Sequence, residues 1–126
     1  MKVLLIEPGK RPRRVELEDS LDAKQKAVGG LIQAVYPFED PVGLICNNKG
    51  KYLGLPLNRA LYHPETGECY DVIAGTFLVC GLVEEDFDSL TDDLMQKYEE
   101  RFRIPETFLR TKAGLLILPV MEEEPI

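Results

Sequence analysis

The apolar residues of this chain occur mostly in short runs that end at glycine, proline or asparagine. Apolar or alternating runs of about four to eight residues with such boundaries predict β-strands joined by turns. The runs are MKVLLIE, RRVELE, LIQAVY, VGLICN, CYDVI, TFLVCGLV and LLILPV. The PGKRP segment between the first two predicts a hairpin. The pattern therefore predicts a mainly antiparallel sheet of about five to seven strands.

A short helix is predicted for the segment LDAKQKAV. Asp19 or Ser20 can cap its N-terminus, because a side-chain oxygen at that position accepts a hydrogen bond from an unpaired backbone N–H. Gly29 and Gly30 end the helix, since glycine readily takes the left-handed conformation found at helix C-termini.

A longer helix is predicted after Asp88. Ser89 followed by Asp92 resembles a capping box, with aspartate in place of the usual glutamate, and Pro105 ends the element. Its apolar face repeats at four-residue steps, with Leu90, Leu94, Tyr98 and Phe102. A sheet with one short and one longer helix packed on it predicts an α+β fold. We expect one domain over residues 1–126, with an acidic tail at 121–126 that frays.

The charge of the chain is negative and unevenly distributed. The formal net charge is −7, with +3 from residues 1–63 and −10 from residues 64–126. This balance argues against direct nucleic-acid binding, because neutralising phosphates requires clustered Lys and Arg. No apolar run reaches the roughly 20 residues of a membrane span, and the N-terminal run is too short for a signal peptide. We therefore expect a cytoplasmic protein without membrane contact.

The segment LGLPLNRALYHPETGECYDVIAG contains residue types that often build binding sites. An arginine near a carboxylate and an amide can bind an anion or orient a water molecule. The candidates are Asn58, Arg59, Tyr70 and Asp71. In the alternative interpretation, Asn58 caps a single turn and Arg59 pairs with Asp71 to tie a loop to a strand. We favour this structural role, because no nucleophile or base is marked beside these residues.

Metal binding and nucleophilic catalysis have weaker support. Cys46, His63, Cys69 and Cys80 are zinc-ligand types, but the spacing contains no closely spaced cysteine pair. Cys46 and Cys80 lie in apolar runs, where free cysteine behaves as a small hydrophobic residue. His63 precedes a proline, no nucleophile signature accompanies it, and both glycine-rich nucleotide-binding patterns are absent from the sequence. We expect no metal, no cofactor and no enzymatic activity.

Two groups of charged residues are candidate interaction surfaces. Carboxylates fall opposite the apolar face of the longer helix, at Asp88, Asp92, Asp93, Glu99 and Glu100. Such a face is usually only solvated, although it can also imitate DNA phosphates and inhibit a DNA-binding enzyme. The first hairpin turn has the opposite sign, with Lys10, Arg11, Arg13 and Arg14. This basic turn can bind nucleic acid or the acidic helix of a second copy.

Three sequence blocks, VGGLIQAV, GLPLNRAL and YDVIAGTFLVCG, follow the N-terminal MKVLLIEPG in this order. The ordered set resembles a family of small proteins of unknown function, over roughly residues 1–103. That family is found in bacteriophages, plasmids and integrative elements. The resemblance implies no activity and no catalytic residues, but it implies that the gene is an accessory of mobile DNA.

These observations predict a non-enzymatic protein-binding module of mobile DNA that self-associates or binds a protein of unknown identity. The apolar segment at 115–120 can complete the chain's own sheet or pair with an edge in a second copy. Two alternatives stay open. One is an acidic DNA mimic of the antirestriction type, and the other is a small ligand-binding or enzymatic domain centred on Asn58, Arg59 and Asp71.

Overall fold

The computed structural model describes residues 1–120, and the tail at 121–126, where fraying was predicted, lies outside them. The strands are β1 (Lys2–Ile6), β2 (Arg13–Glu16), β3 (Ile32–Val35), β4 (Val42–Asn47), β5 (Leu57–Tyr62), β6 (Cys69–Ala74), β7 (Phe77–Val83), β8 (Asp86–Asp88), β9 (Glu106–Thr111) and β10 (Gly114–Pro119). The helices are α1 (Leu21–Val28) and α2 (Asp92–Arg101). Within residues 1–120, no helix is long and apolar enough to cross a membrane.

A six-stranded antiparallel sheet forms the centre of the fold, which confirms the predicted α+β class. Its strands lie in the order β2-β1-β7-β4-β3, and β8 pairs with the end of β7. Strands β1 and β2 form the hairpin that the PGKRP turn predicted. Two further antiparallel pairs stand apart from this sheet. They are the hairpin of β5 with β6 and the ribbon of β9 with β10.

Both faces of the central sheet are covered. Strand β4 is buried along its whole length, which explains why its first five residues, VGLIC, are apolar instead of alternating. Helix α1 packs on one face through Val28, next to Leu78 and Cys80. Helix α2 packs on the other face through Met95 and Tyr98, where the β5–β6 hairpin completes the larger of the two apolar clusters.

Helix α1 has the predicted bounds and caps. Ser20 Oγ accepts a hydrogen bond from the N–H of Ala23 at 3.1 Å. Gly29 has a φ of 79° and donates its N–H to the carbonyl of Gln25 at 2.8 Å. Glycine takes this left-handed backbone at no steric cost because it has no Cβ atom, which is the reason that glycine was predicted to end the helix.

Helix α2 begins later than predicted. The segment from Asp86 to Asp88 is strand β8, and Thr91 caps the helix by accepting the N–H of Leu94 at 3.3 Å. Ser89 accepts the N–H of Lys2 at 2.8 Å instead. The predicted capping box was therefore wrong, because a contact with β1, distant in the sequence, uses the hydroxyl of Ser89.

Besides β8, two further strands occupy segments for which no regular element was predicted. Strand β5 starts directly after Pro56, a position where a proline does not interrupt a sheet ladder. Strand β9 pairs with β10 from Thr111 opposite Gly114 to Glu106 opposite Pro119. The segment LLILPV is thus a strand as predicted, but it lies outside the central sheet.

Candidate functional site

Arg59 lies at the centre of a buried polar network. The residue is 1% exposed, and its guanidinium donates to the carbonyl oxygens of Phe102 at 2.9 Å and Lys10 at 2.7 Å. It also donates to Asn58 Oδ1 at 2.8 Å. Burial lowers the pKa of Arg59, although an arginine side chain stays charged at neutral pH. Carbonyl and amide oxygens, rather than a bound carboxylate, accept the hydrogen bonds of this cation.

Asn58 extends the network to two further segments. It is completely buried, and its Nδ2 donates to the carbonyls of Ile6 at 2.9 Å and Gly75 at 2.8 Å. The network therefore connects the end of β1, the first hairpin turn, the link between β6 and β7, and the end of α2. Both side chains brace the fold from the inside and are closed to a ligand.

The predicted ion pair between Arg59 and Asp71 is wrong, and so is the predicted cap at Asn58. Asn58 lies within strand β5. Asp71 contacts the Nζ of Lys51 and accepts the N–H of Val72 at 2.8 Å. Arg59 is buried in the core, whereas Asp71 lies at the rim of a surface cleft, so the two side chains have different partners.

Tyr70, the remaining member of the predicted set, lies away from that network. Its ring is exposed and stacks on His63, with 4.5 Å between the ring centroids. The four candidate residues thus divide into a buried pair and a surface pair, and they do not form one pocket.

A cleft of about 690 Å³ lies between the end of β4 and strand β6. Its floor is apolar and continuous with the core, with Val35, Cys46, Leu61 and Ile73. Its rim is polar, with Asn48, Lys49, Lys51, Tyr52 and Asp71. The volume falls within the range of about 300–1,000 Å³ typical of small-molecule sites.

The rim of this cleft is firmly attached to the fold. Asn47 donates to the carbonyl of Val28 at 3.2 Å and accepts the N–H of Lys49 at 2.8 Å. Gly50 packs against β6 so closely that a Cβ atom there would lie 2.7 Å from the carbonyl oxygen of Ala74. A larger residue at position 50 would push the rim away from β6, so glycine shapes the cleft.

A smaller cavity of about 290 Å³ lies beside α2. Its main carboxylate, Asp40, accepts hydrogen bonds from Lys97 at 2.6 Å and from the Tyr98 hydroxyl at 2.7 Å. These bonds hold the pKa of Asp40 below its usual value. Asp40, Lys97 and Tyr98 of this cavity are therefore engaged with one another.

The candidate zinc ligands are separated in space. Cys46 and Cys80 belong to apolar clusters on opposite faces of the central sheet. Burial raises the pKa of both thiols, that of Cys80 to about 12, and a protonated thiol is a poor nucleophile and ligand. Cys69 is exposed. Among residues 1–120, no three Cys, His, Asp or Glu side chains are grouped so that they could hold a metal ion.

The predicted acidic face does not form a single array. Asp88 lies in β8 and not on the helix. Glu99 accepts two hydrogen bonds from Arg14, at 2.7 and 3.0 Å, which lower the pKa of Glu99. Glu100 lies 3.6 Å from Arg103. Asp92 and Asp93 occupy the first turn of α2, where the helix dipole favours negative charge.

The basic turn is also used within the chain. The carboxylate of Glu7 lies 2.9 Å from the guanidinium of Arg13 and 3.6 Å from the ammonium of Lys10. Arg14 forms an ion pair with Glu99 on helix α2 of the same chain. Arg11 is exposed on the same turn. The opposite charges that were predicted to attract a second copy therefore meet, at Arg14, inside one molecule.

The ribbon of β9 and β10 exposes an uncharged apolar surface. Alternate residues of paired strands share one side of a sheet, and we call one such side the outer ribbon face, made of Thr107, Leu109, Thr111, Gly114, Leu116 and Leu118. Its three leucines are 46%, 45% and 42% exposed. No ionisable side chain lies on this face, although 29% of the chain is charged.

Glu106 joins this ribbon to the β5–β6 hairpin. Its carboxylate accepts the N–H of Ala60 and the hydroxyl of Tyr62, both at 3.3 Å. Desolvation by burial nevertheless raises the pKa of Glu106. The ribbon is therefore attached along β9, and the far edge of β10 is left without a strand partner in the described chain.

A protein-family model of a domain of unknown function, DUF3846, matches residues 1–103. The chain belongs to this family. No curated protein and no solved structure matches the chain. The predicted resemblance to a family of unknown function is confirmed over these residues, and its setting in mobile DNA stays a prediction.

The DUF3846 match includes the Arg59 network and the cleft, whereas the β9–β10 ribbon lies outside it. Sequence reasoning overlooked Lys49, Lys51 and Tyr52 as site residues, because NNKG was interpreted only as a turn. The signal available was the aromatic and cationic character of NNKGKY, next to a run of buried residues.

Proposed function

We propose that this DUF3846 protein is a non-enzymatic protein-binding module of mobile DNA that pairs with a second copy of itself. The observation that supports the proposal is the outer ribbon face. Leucines that are nearly half exposed on a chain with abundant charged residues mark an interaction surface. In the proposed dimer, the outer ribbon faces of two copies pack against each other about a two-fold axis.

Charge makes a second copy the best occupant of this face. Two molecules with a net charge of −7 repel each other over most of their surfaces. The outer ribbon face has no charged residue, so two copies can approach there without bringing like charges into contact. Burial of Leu109, Leu116 and Leu118 from both molecules then supplies the favourable free energy.

The remaining surfaces support a binding role without catalysis. The side chains of Arg59 and Asn58 donate their hydrogen bonds to groups inside the protein. Burial raises the pKa of the Cys46 and Cys80 thiols and so keeps them protonated. The charged surfaces are partly neutralised in one chain by the contact between Arg14 and Glu99. The resemblance to proteins of bacteriophages and plasmids supports the setting in mobile DNA.

Sedimentation equilibrium of the full chain and of two lysine variants tests this proposal. Leu116→Lys puts an ammonium group on the outer ribbon face, and we expect it to raise the dimer Kd by about a hundredfold, because a buried unpaired charge is costly. The matched control is Leu115→Lys, the adjacent leucine of the same strand, which is 43% exposed but lies on the opposite face. We expect this variant to dimerise like the unchanged protein.

The pattern of results distinguishes other modes of association. Equal weakening by both variants would indicate pairing along the edge of β10 instead of packing of the outer face. Dissociation by added salt would indicate association through the charged surfaces, since salt screens ion pairs between exposed groups. A monomer at all concentrations would contradict self-association.

A further inference from the structure

We propose that the cleft between β4 and β6 binds a small molecule with an aromatic body and a single anionic group. This site is independent of the outer ribbon face, and no residue of the ribbon lines it. The shape, the charge and the attachment of the rim each support this class of ligand.

The floor of the cleft fits an apolar ring. Leu61 and Ile73 are buried members of the main core cluster, and Val35 packs beside them. Cys46 adds a thiol that is neutral because burial raises its pKa, so the floor has no charge to repel an aromatic surface. A polar ligand without an apolar body would leave this surface in contact with water.

The rim has one cation in excess. The ammonium of Lys51 is bound to Asp71, and these two charges cancel. The ammonium of Lys49 makes no ion pair or side-chain hydrogen bond within residues 1–120, and it lies at the mouth of the same cleft. A ligand with one carboxylate, sulfonate or phosphate-like group would neutralise it, whereas a cationic ligand would meet an unbalanced Lys49.

Tyr52 supplies an aromatic surface at the same rim. It is 89% exposed, and it lines the cleft three residues after Lys49 along the chain. A ring bound over the apolar floor can stack on this side chain, as aromatic pairs do at binding sites.

The rim is held in its binding arrangement before any ligand arrives. Asn47 fixes the backbone at Lys49, and the close approach of Gly50 to Ala74 fixes the distance from the rim to β6. A site that needs little reorganisation loses less conformational entropy when it binds. The cleft is therefore suited to a rigid planar ligand.

Two matched fluorescent probes test the proposal on the full chain. The first is 1-anilinonaphthalene-8-sulfonate, an aromatic monoanion, and the second is N-phenyl-1-naphthylamine, which has the same rings and no charge. We expect the anion to bind more tightly, and we expect added salt to reduce the difference. Equal binding of both probes at low salt would contradict the part assigned to Lys49.

The location is tested by nuclear magnetic resonance on isotope-labelled protein with the anionic probe. We expect shifts of the backbone amides at 47–52 and 71–74. Shifts confined to 107–118 would show that the probe binds the ribbon instead, which would overturn the proposal. This measurement needs no substitution, so it does not depend on the folding of any variant.

Two variants, each with one lysine changed to glutamate, then test the role of Lys49. We expect Lys49→Glu to weaken binding of the anionic probe by about fivefold or more. Lys112→Glu changes the net charge of the chain by the same amount at the tip of the ribbon, and we expect it to leave the affinity within about twofold. Equal effects of the two substitutions would mean that only the net charge matters, and would contradict the proposal that Lys49 binds the anionic group.

Discussion

At the scale of single residues, Arg59 does the most to connect distant parts of the chain. Its guanidinium holds the carbonyls of Lys10 and Phe102, which lie 49 and 43 residues away in the sequence. A planar fork of donors can satisfy several carbonyl oxygens at once, which a lysine ammonium cannot do from the same position. Backbone carbonyls and the Asn58 amide accept the hydrogen bonds of the arginine, and the charge of Glu106 also favours its protonated form.

We predict that Arg59→Ala lowers the free energy of unfolding by about 3 kcal/mol or more, because it leaves buried carbonyl oxygens without donors. Urea denaturation followed by circular dichroism measures the change. The control is Arg13→Ala, which removes an exposed ion pair with Glu7 and should cost no more than about 1 kcal/mol. A smaller loss for Arg59→Ala than for the control would contradict the bracing role.

At the scale of elements, the β9–β10 ribbon depends on one side chain for its polar attachment to β5. An isolated two-stranded ribbon has marginal stability in water. The Glu106 carboxylate accepts hydrogen bonds from the N–H of Ala60 and the hydroxyl of Tyr62. The apolar contribution is limited, because Phe108 and Ile117 are only partly buried. The attachment therefore combines two hydrogen bonds with the cost of placing a carboxylate in a partly dry position.

The protonation of Glu106 makes this attachment depend on pH. Burial raises the pKa of Glu106 in the folded protein above its usual value of 4.5, so the folded state binds the proton more tightly than the unfolded state. Linkage then requires this contribution to stability to be present at low pH and to be lost as pH rises through the folded-state pKa.

We predict that the free energy of unfolding of the unchanged protein, minus that of Glu106→Gln, decreases between pH 4 and pH 7. Glutamine keeps an oxygen that can accept the N–H of Ala60 and has no titratable proton. Urea denaturation of both proteins at several pH values measures the difference. A difference that is constant or that grows with pH would contradict the raised pKa.

At the scale of the whole molecule, stability is unevenly distributed. The central sheet is covered on both faces, and its core residues Leu4, Leu44 and Val79 are completely buried. The ribbon has an exposed outer face and a free edge. Regions with few buried apolar contacts open at a lower free energy than core strands do.

We predict that hydrogen exchange measured by mass spectrometry is fast for β9 and β10 and slow for β1, β4 and β7 in dilute solution. Raising the protein concentration should slow exchange in the ribbon and leave the central strands unchanged, because dimerisation covers the outer face. Leu116→Lys serves as the control and should remove the concentration dependence. Ribbon exchange as slow as in β4 in the dilute protein would contradict this description.

The sequence was most informative where local chemistry decides the structure. The apolar runs located β4, β6 and β7, and Ser20 with Gly29 located both ends of α1. The prediction from sequence was wrong at Ser89, whose hydroxyl accepts a hydrogen bond from the N–H of Lys2. It also missed β5, which starts after a proline and pairs with β6. In both cases a partner distant in the sequence determines the local conformation, and no local pattern reports such a partner.

The candidate site shows the same limit. The sequence identified Asn58, Arg59 and Asp71 as polar residues in an apolar surrounding, but it assigned Arg59 to the wrong partner. Arg59 instead donates to the carbonyls of Lys10 and Phe102, which are distant in the sequence, and only the tertiary structure brings these carbonyls to it. Lys49 lines the cleft because the turn that contains it packs close to β6, and this contact is also between segments distant in the sequence.

By itself, the amino-acid sequence determined the α+β class, the short helix and the excess of negative charge, because these depend on residue type and on spacing along the chain. Only the tertiary structure decided which carbonyls hold Arg59, where the cleft opens and which leucines remain exposed. Those properties depend on contacts between segments that are far apart in the chain. Such contacts form because burial of apolar surface selects one arrangement of the whole molecule.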